Sequence, residues 1–366
     1  MPKHRLFACG VLLTAMLFPA VATAQPRLDF SCDQIAAGPL PSQIRQQVDE
    51  FVSHWCGVMA QTDTDAEVVE ARKRLVEGFG KCPDSAQYQT AYASAVVDSI
   101  RPSLASEDLL RQVNAALVVA NIRNMRVRPV LDEMVRHNNP AVRYLGWQGY
   151  QRVRTLVLAQ GQGYSRPMFE SLSERIATET TPFVTRRLLE MLYLPPVRPQ
   201  VVSEGDYSWA RRQAMEAMLK GWSEQCRRIL LGEPEMPDAM RPGVWAISTF
   251  HRATGSDRDA QSKLVQALVD VMYCASRAYD EAGDGATGDR VRHANTMLLT
   301  DAEEHLNELT ELRRDHVYRA LRDEGVPDRG AQVRRGVLDW VDDLIEAGFE
   351  IEQPSFEPPQ SNNNSD

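Results

Sequence analysis

The chain has 366 residues, 43% of them hydrophobic and 25% charged, with a formal net charge of -9. That balance is ordinary for a folded soluble protein, and the length suffices for a full core in one elongated unit or in two to three compact ones. It excludes a disordered polymer, and no nucleic-acid partner is expected. Residues 1–24 read as an export signal. Lys3, His4 and Arg5 precede an apolar run from Leu6 to Val21, and Ala22-Thr23-Ala24 presents the small-x-small pattern of signal-peptidase cleavage. Removing this segment discards two basic and no acidic residues, so the expected mature chain has a net charge of -11. It holds no second stretch of membrane-spanning length. A periplasmic or secreted location is expected.

Five cysteines remain after cleavage: Cys32, Cys56, Cys82, Cys226 and Cys274. Export permits disulfides, and the spacing suggests one bridge among the first three and a second from Cys226 to Cys274. The alternative is that they are buried thiols acting as small hydrophobes. No Cys/His group has metal-ligand spacing. Charge is uneven. Residues 25–108 carry 7 basic and 13 acidic side chains, residues 109–232 carry 18 and 10, and residues 233–366 carry 14 and 27.

From residue 41 onward the periodic segments read as helices. Ile44, Val48, Phe51, Val52, Trp55 and Met59 repeat at helical spacing behind Pro41-Ser42. Thr64-x-x-Glu67 has the form of a capping box ahead of Val68, Ala71, Leu75 and Phe79, with Gly78 and Gly80 at the end. Ser85 and Ser106 are expected to cap helices over roughly 86–101 and 107–123. Beyond that point helices come in pairs. Arg128-Pro129 opens a short helix ending near His137, and Asn139-Pro140 opens its partner; Arg166-Pro167 and Thr181-Pro182 repeat the order. Pro140 and Pro182 are 42 residues apart, with Val142 and Val184 in step. No alternating run flanked by hairpin turns appears, so the fold class is all-α.

This period, with Pro140-Ala141-Val142-Arg143 and Pro182-Phe183-Val184-Thr185 opening the second helices, resembles HEAT repeats over residues 109–195. The second copy departs from the pattern, with threonine where arginine is expected. The resemblance implies an α-solenoid: a stack of helical hairpins with neighbour-to-neighbour cores, and a scaffold or protein-binding role.

Leu194-Pro195-Pro196-Val197-Arg198-Pro199 breaks the pattern, dividing an N-terminal helical region, 25–195, from a C-terminal one, 206–350. The second region reads as a helix over 207–231, a proline-rich link over 232–243 and a long helix over 256–282. A tight acidic turn leads to another long helix reaching Gly325, restarted at Thr300-x-x-Glu303, which completes an antiparallel hairpin. A last helix covers 331–347. The proline, serine, asparagine and acidic residues of 353–366 are expected to be disordered.

No HExxH, GxSxG, phosphate loop or dinucleotide fingerprint is present, and Gly161-Gln162-Gly163 reads as a turn. No catalytic residue, metal or cofactor is expected. Asp301, Glu304, His305 and Glu308 share a helix face and supply an alternative enzyme reading. The favoured surface follows Pro140. Val142, Leu145, Gly146, Val153 and Leu156 form a buried stripe, while Arg143, Tyr144, Trp147, Tyr150 and Arg154 offer aromatic area flanked by cations, extended by Arg186 and Arg187. These residues point to a non-enzymatic scaffold holding an acidic protein partner. A further alternative is a purely structural envelope protein whose basic middle docks on its own acidic C-terminal part.

Overall fold

The computed structural model describes residues 25–35, 39–194, 196–254, 257–323 and 328–357; the expected export signal and residues 358–366 of the expected tail lie outside them. All regular structure in the described residues is helical. The N-terminal part holds α1 (Ser42–Gln61), α2 (Asp65–Phe79), α3 (Ala86–Ser99), the single turn α4 (Arg101–Leu104) and α5 (Leu109–Asn121). The paired segments are α6 (Arg128–Met134) with α7 (Pro140–Ala159), and α8 (Gln162–Thr178) with α9 (Pro182–Leu192). The remainder comprises α10 (Glu204–Ile229), α11 (Glu235–Thr254), α12 (Arg258–Asp280), α13 (Ala286–Thr310), α14 (His316–Arg322) and α15 (Arg329–Glu346).

Local chemistry explains most helix starts. Ser85 accepts from the Tyr88 amide at the head of α3, and Asp108 takes over from the expected Ser106 by accepting from Leu110 and Arg111 at the head of α5. Asn139 caps α7 through the Ala141 amide, with Pro140 at the position where a missing N–H costs nothing. Pro182 opens α9 in the same way. Thr64 precedes α2 without a side-chain cap, so the reciprocal box is not formed; Glu67 instead accepts from Thr62.

The helices stack in two rows. α2, α5, α7, α9, α11 and α13 pack successively side by side in one; α8, α10, α12 and α15 do so in the other. Each pair also packs internally, α6 on α7, α8 on α9, α10 on α11 and α12 on α13, an arrangement compatible with a helical-repeat solenoid. Buried apolar side chains run without interruption from Ile35 to Leu344. Residues 193–194 and 196–203 form a loop at the expected boundary, yet α10 packs on α8 and α11 on α9 across it.

Four expectations are corrected. The proline-rich link is helix from Glu235 onward: Met236, Ala239, Met240, Val244, Ile247 and Phe250 fall on one face and are all buried, and that burial outweighs the cost of Pro242 inside the helix. α8 starts at Gln162, so Pro167 lies within it rather than opening it. The helix expected to reach Gly325 stops at Thr310, where Glu311 and Arg313 take positive φ angles of 60° and 54°. There Glu303, in mid-helix rather than capping a restart, is buried and accepts from the Val317 and Tyr318 amides at 2.9 and 2.7 Å and from Trp340 Nε1 at 2.7 Å. Finally, residues 353–357 are not a loose tail. Gly348, at φ 81°, turns the chain out of α15, and residues 349–357 run as an extended strap beside α12, with Phe349, Ile351 and Phe356 packed on the core.

Cys32 and Cys82 form a disulfide that ties the 3-10 turn Cys32–Ile35 to the loop after α2. Cys56, Cys226 and Cys274 are buried free thiols, so the expected Cys226–Cys274 bridge is absent. Both lie in packed helices, where burial pushes their thiols up and keeps them protonated, as small core hydrophobes.

The backbones of α8 and α10 approach closely at Gly221. A Cβ on Gly221 would stand 2.6 Å from the Ala177 amide nitrogen and 2.8 Å from the Ile176 carbonyl carbon, whereas a Cβ on Gly57 in α1 meets nothing within 4 Å. Gly221→Val is expected to cost about 2 to 3 kcal/mol in denaturant unfolding. Gly57→Ala should be neutral or stabilising by about 0.5–1 kcal/mol. Equal effects from the two substitutions would contradict this packing.

Candidate functional site

The expected arginine–aromatic surface divides in two. Trp147 and Tyr150 are fully buried, stacked at 5.7 Å between ring centroids, and the Tyr150 hydroxyl donates to Asp132 on α6. Arg154 is 6% exposed and donates to the Met191 carbonyl at 3.0 Å; burial pulls its guanidinium down to about 10. These three are core residues of the α6–α7–α9 contact and are corrected as surface candidates. Gly146 and Gly149 show why: a Cβ on Gly149 would lie 2.5 Å from Leu131 Cδ2, so α5 and α6 press against this face. Leu156, expected in the buried stripe, is 40% exposed.

Arg143 is also largely enclosed. Its Nε and Nη2 meet the Glu179 carboxylate at 2.7 and 2.8 Å, and Nη1 donates to the His137 and Asn138 carbonyls at 3.0 and 2.8 Å. Glu179 is itself buried and accepts from the Thr180 and Thr181 amides just ahead of α9. Burial alone would raise the Glu179 carboxyl, but Arg143 and the Thr181 amide outweigh it and hold the group below the usual carboxylate range. The seam continues in both directions. The Glu179 carbonyl accepts from Gln225 on α10 at 3.0 Å, Thr185 meets the same glutamine at 3.5 Å, and Asn139 donates to Gln112 on α5 at 2.8 Å. Thr185 and Arg143 hold the same place after their prolines, and each reaches toward the following helix pair.

Tyr144, Arg186 and Arg187 lie on the outer side of the α7–α9 row. Arg187 stacks over the Tyr144 ring at 4.8 Å, donates to the tyrosine hydroxyl at 2.6 Å and pairs with Glu190 at 2.7 Å. Arg186 pairs with Glu190 and keeps half of its side chain exposed. Tyr144 also packs edge-on against Phe183 at 5.8 Å, and Phe183 is 47% exposed. An open cavity of about 490 Å³ adjoins this ring, lined by Pro182, Phe183, Arg186, Glu235, Asp238 and Ala239. Asp238, Arg241 and Trp245 share one face of α11. Trp245 is 46% exposed, carries Arg241 over its ring at 5.4 Å and donates to Asp301 on α13 at 3.2 Å. Met297, one turn before Asp301, is exposed beside them. Sequence reasoning missed Phe183 and Trp245. The signal for the first was available, because Phe183 stands where the earlier copy has Ala141, next to a buried valine, on a helix whose buried stripe is already full.

The carboxylate and imidazole group does not converge. Asp301 is drawn to Arg241 at 2.7 Å, and Glu304 is exposed. His305 Nδ1 meets both Ser248 Oγ at 2.5 Å and Glu308 at 3.2 Å. A relay from nucleophile through base to carboxylate needs its partners on opposite ring nitrogens, and here both meet the same one. Ser248 is 2% exposed. Among the described residues no group of three or more His, Cys, Asp or Glu is placed to hold a metal ion. The arginines of 109–232 pair with Asp63, Asp108, Asp132, Glu179, Glu190 and Glu224, none of which belongs to the acidic C-terminal part.

No family model and no curated protein matches this chain. A crystal structure of an engineered protein, from the Northeast Structural Genomics Consortium, aligns over 86% of this chain and 93% of its own at 13% identity. Its TM-score of 0.23 carries no argument.

Arg143→Met would leave Glu179 buried without its cation, and a loss of about 3 kcal/mol at pH 7 is expected in denaturant unfolding. In the wild type the lowered Glu179 value contributes stability above the usual carboxylate range, lost as pH falls through the folded-state value. In the variant the cation is gone and burial is opposed only by the Thr181 hydrogen bonds, so the carboxyl rises and the deficit should shrink between pH 7 and pH 5. A deficit that does not change with pH would contradict this account of the pair.

Proposed function

We propose that this chain is an exported, non-enzymatic helical-repeat protein of HEAT-like type that holds a protein partner across the row α7–α9–α11–α13. The observation that carries the reading is the line of solvent-exposed aromatic side chains on that row, Phe183 and Trp245, each next to an arginine. Large, stiff aromatic surface beside guanidinium donors is the composition that dominates binding energy at protein interfaces. Tyr144, Phe183 and Arg186 form one half of the surface; Arg241, Trp245 and Met297 form the other, with the cavity beside Pro182 between them. The partner is an acidic protein that places apolar anchors against the two rings and carboxylates against Arg186 and Arg241. Export is supported by the Cys32–Cys82 disulfide, which needs an oxidising compartment, and no helix among the described residues is long and apolar enough to cross a membrane.

The test is a photo-cross-linking side chain at position 183 or 245 of the full chain, expressed in its native host. A discrete adduct is expected at both positions and none at Gly57, which lies in α1, outside the row. Phe183→Ala with Trp245→Ala should reduce adduct formation from a cross-linker at position 186 about tenfold or more, while thermal unfolding stays within ~2 °C of wild type. Adduct yields unaffected by the double substitution, or equal at Gly57, would remove the reading.

A further inference from the structure

The strap beside α12 is held in an unusual manner. Gln266 clamps one residue of it by both backbone groups: its Oε1 accepts from the Glu352 amide at 2.8 Å and its Nε2 donates to the Glu352 carbonyl at 3.2 Å. Arg258 donates to the Gly348 carbonyl at 3.1 Å and Arg277 to the Phe356 carbonyl at 2.7 Å. Every one of these bonds goes to main chain. The groove therefore reads an extended backbone, as an added β-strand is read by a sheet edge. Side-chain selection comes from Phe349, Ile351 and Phe356, which are half-buried on the core, with Tyr273 at 6.4 Å and Arg227 at 5.9 Å from the Phe356 ring.

The present occupant is a poor match at one point. Asp270, one turn along α12 from Gln266, is half-buried; burial, with a smaller contribution from the charge of Glu352, raises its carboxyl to about 6 against the Gln266 hydrogen bond. Gln266 also donates to Asp270 at 2.7 Å. The strap thus sets a carboxylate beside a partly desolvated acid. None of its side chains is fully buried, and segments with few buried side chains open at low cost.

We propose that the groove along α12 is a binding site for an extended peptide segment of a partner protein, and that residues 349–356 occupy it as an exchangeable competitor from the same chain. The ligand carries an aliphatic and an aromatic side chain five positions apart, as Ile351 and Phe356 are, with a neutral or basic residue after the aliphatic one. The site lies on the opposite row from Phe183 and Trp245, so it is independent of the function proposed above. Occupancy in trans must overcome an intramolecular competitor at an effective concentration of about millimolar, so the full chain binds weakly until the strap is loosened.

The probe is a fluorescent peptide with the sequence of residues 348–357, titrated against the full chain. Ile351→Ala with Phe356→Ala in the protein weakens the competitor and should raise peptide affinity about tenfold or more. Gln266→Ala in that background should remove the gain, and a peptide with Glu352→Lys should bind more tightly than the parent. Equal affinity for wild type and double variant, no binding up to ~1 mM, or indifference to Gln266→Ala would overturn the proposal. A concentration-dependent dimer of the wild type that Phe356→Ala abolishes would assign the groove to a second copy and overturn the partner-peptide assignment. Should the double variant fail to fold, hydrogen exchange on the wild type decides. The proposal requires the amides of 349–356 to exchange at least a hundredfold faster than those of α12, and exchange at the same rate would overturn it.

Discussion

Apolar burial drives the helices together but does not say how far one slides past the next, because the hydrophobic effect has no direction. The ion pair of Arg143 with Glu179 supplies that direction. It is enclosed on both sides, so it tolerates no mismatch: each charge costs several kcal/mol to desolvate, and the pair persists only where every donor and acceptor is used. Arg143 gathers the two carbonyls ahead of α7, and Glu179 gathers the two amides ahead of α9. One ion pair therefore fixes the starting points of two stacked helices relative to each other. Gln225 and Gln112 carry the same restraint onward to α10 and back to α5.

With the register fixed in this way, the large aromatic side chains sort into two populations. Trp147 and Tyr150 fill the gap between α7 and its neighbours because Gly146 and Gly149 beside them let α5 and α6 approach to contact distance. Large side chains alternating with glycine are the signature of interdigitation, and such a tryptophan has no capacity left for a partner. Phe183 has no such glycine flank, and Gly243, two residues before Trp245, admits Trp222 and Leu189 instead. Phe183 and Trp245 sit on the outer side of the same row, kept from collapsing onto the surface by Tyr144 and Arg241.

The helical class, the pairing and the helix starts at Pro140 and Pro182 were legible because each rests on local chemistry: periodicity, caps, and proline where no donor is needed. What escaped depends on contacts distant in sequence. The segment around Pro242 reads as a linker by composition, yet it is helix because α9 and α13 bury its apolar face. The break at Glu311 has no glycine or proline to announce it; Glu303 creates it by capturing the head of α14 and the Trp340 indole. The sequence 349–357 is too polar to form a core of its own, and it is held by Arg258 and Arg277, which donate to the Gly348 and Phe356 carbonyls, and by Gln266, which binds both backbone groups of Glu352. For the candidate surface, helical spacing placed Arg143, Trp147, Tyr150 and Arg154 on a common face correctly. It did not reveal that a second layer of helices covers that face.

A stack of this kind passes strain chiefly between neighbours, since each helix pair packs mainly on the next. The two surfaces inferred here are accordingly separated by structure as well as by row. Events at the strap reach α12 first, then α13 through the hairpin, where Asp301 anchors Trp245. They reach Phe183 only through α11 or α10, which pack on each other and on α9 where Gly243 meets Trp222 and Leu189. Trp245 is therefore the element of the exposed row most directly linked to occupancy of the α12 groove, and the Tyr144–Phe183 pair the least. Among the polar contacts between α11 and α13 in the described residues, which also include Ser248 with His305 and Glu235 with Arg290, the Arg241–Asp301 pair is the one that holds an exposed aromatic of the row.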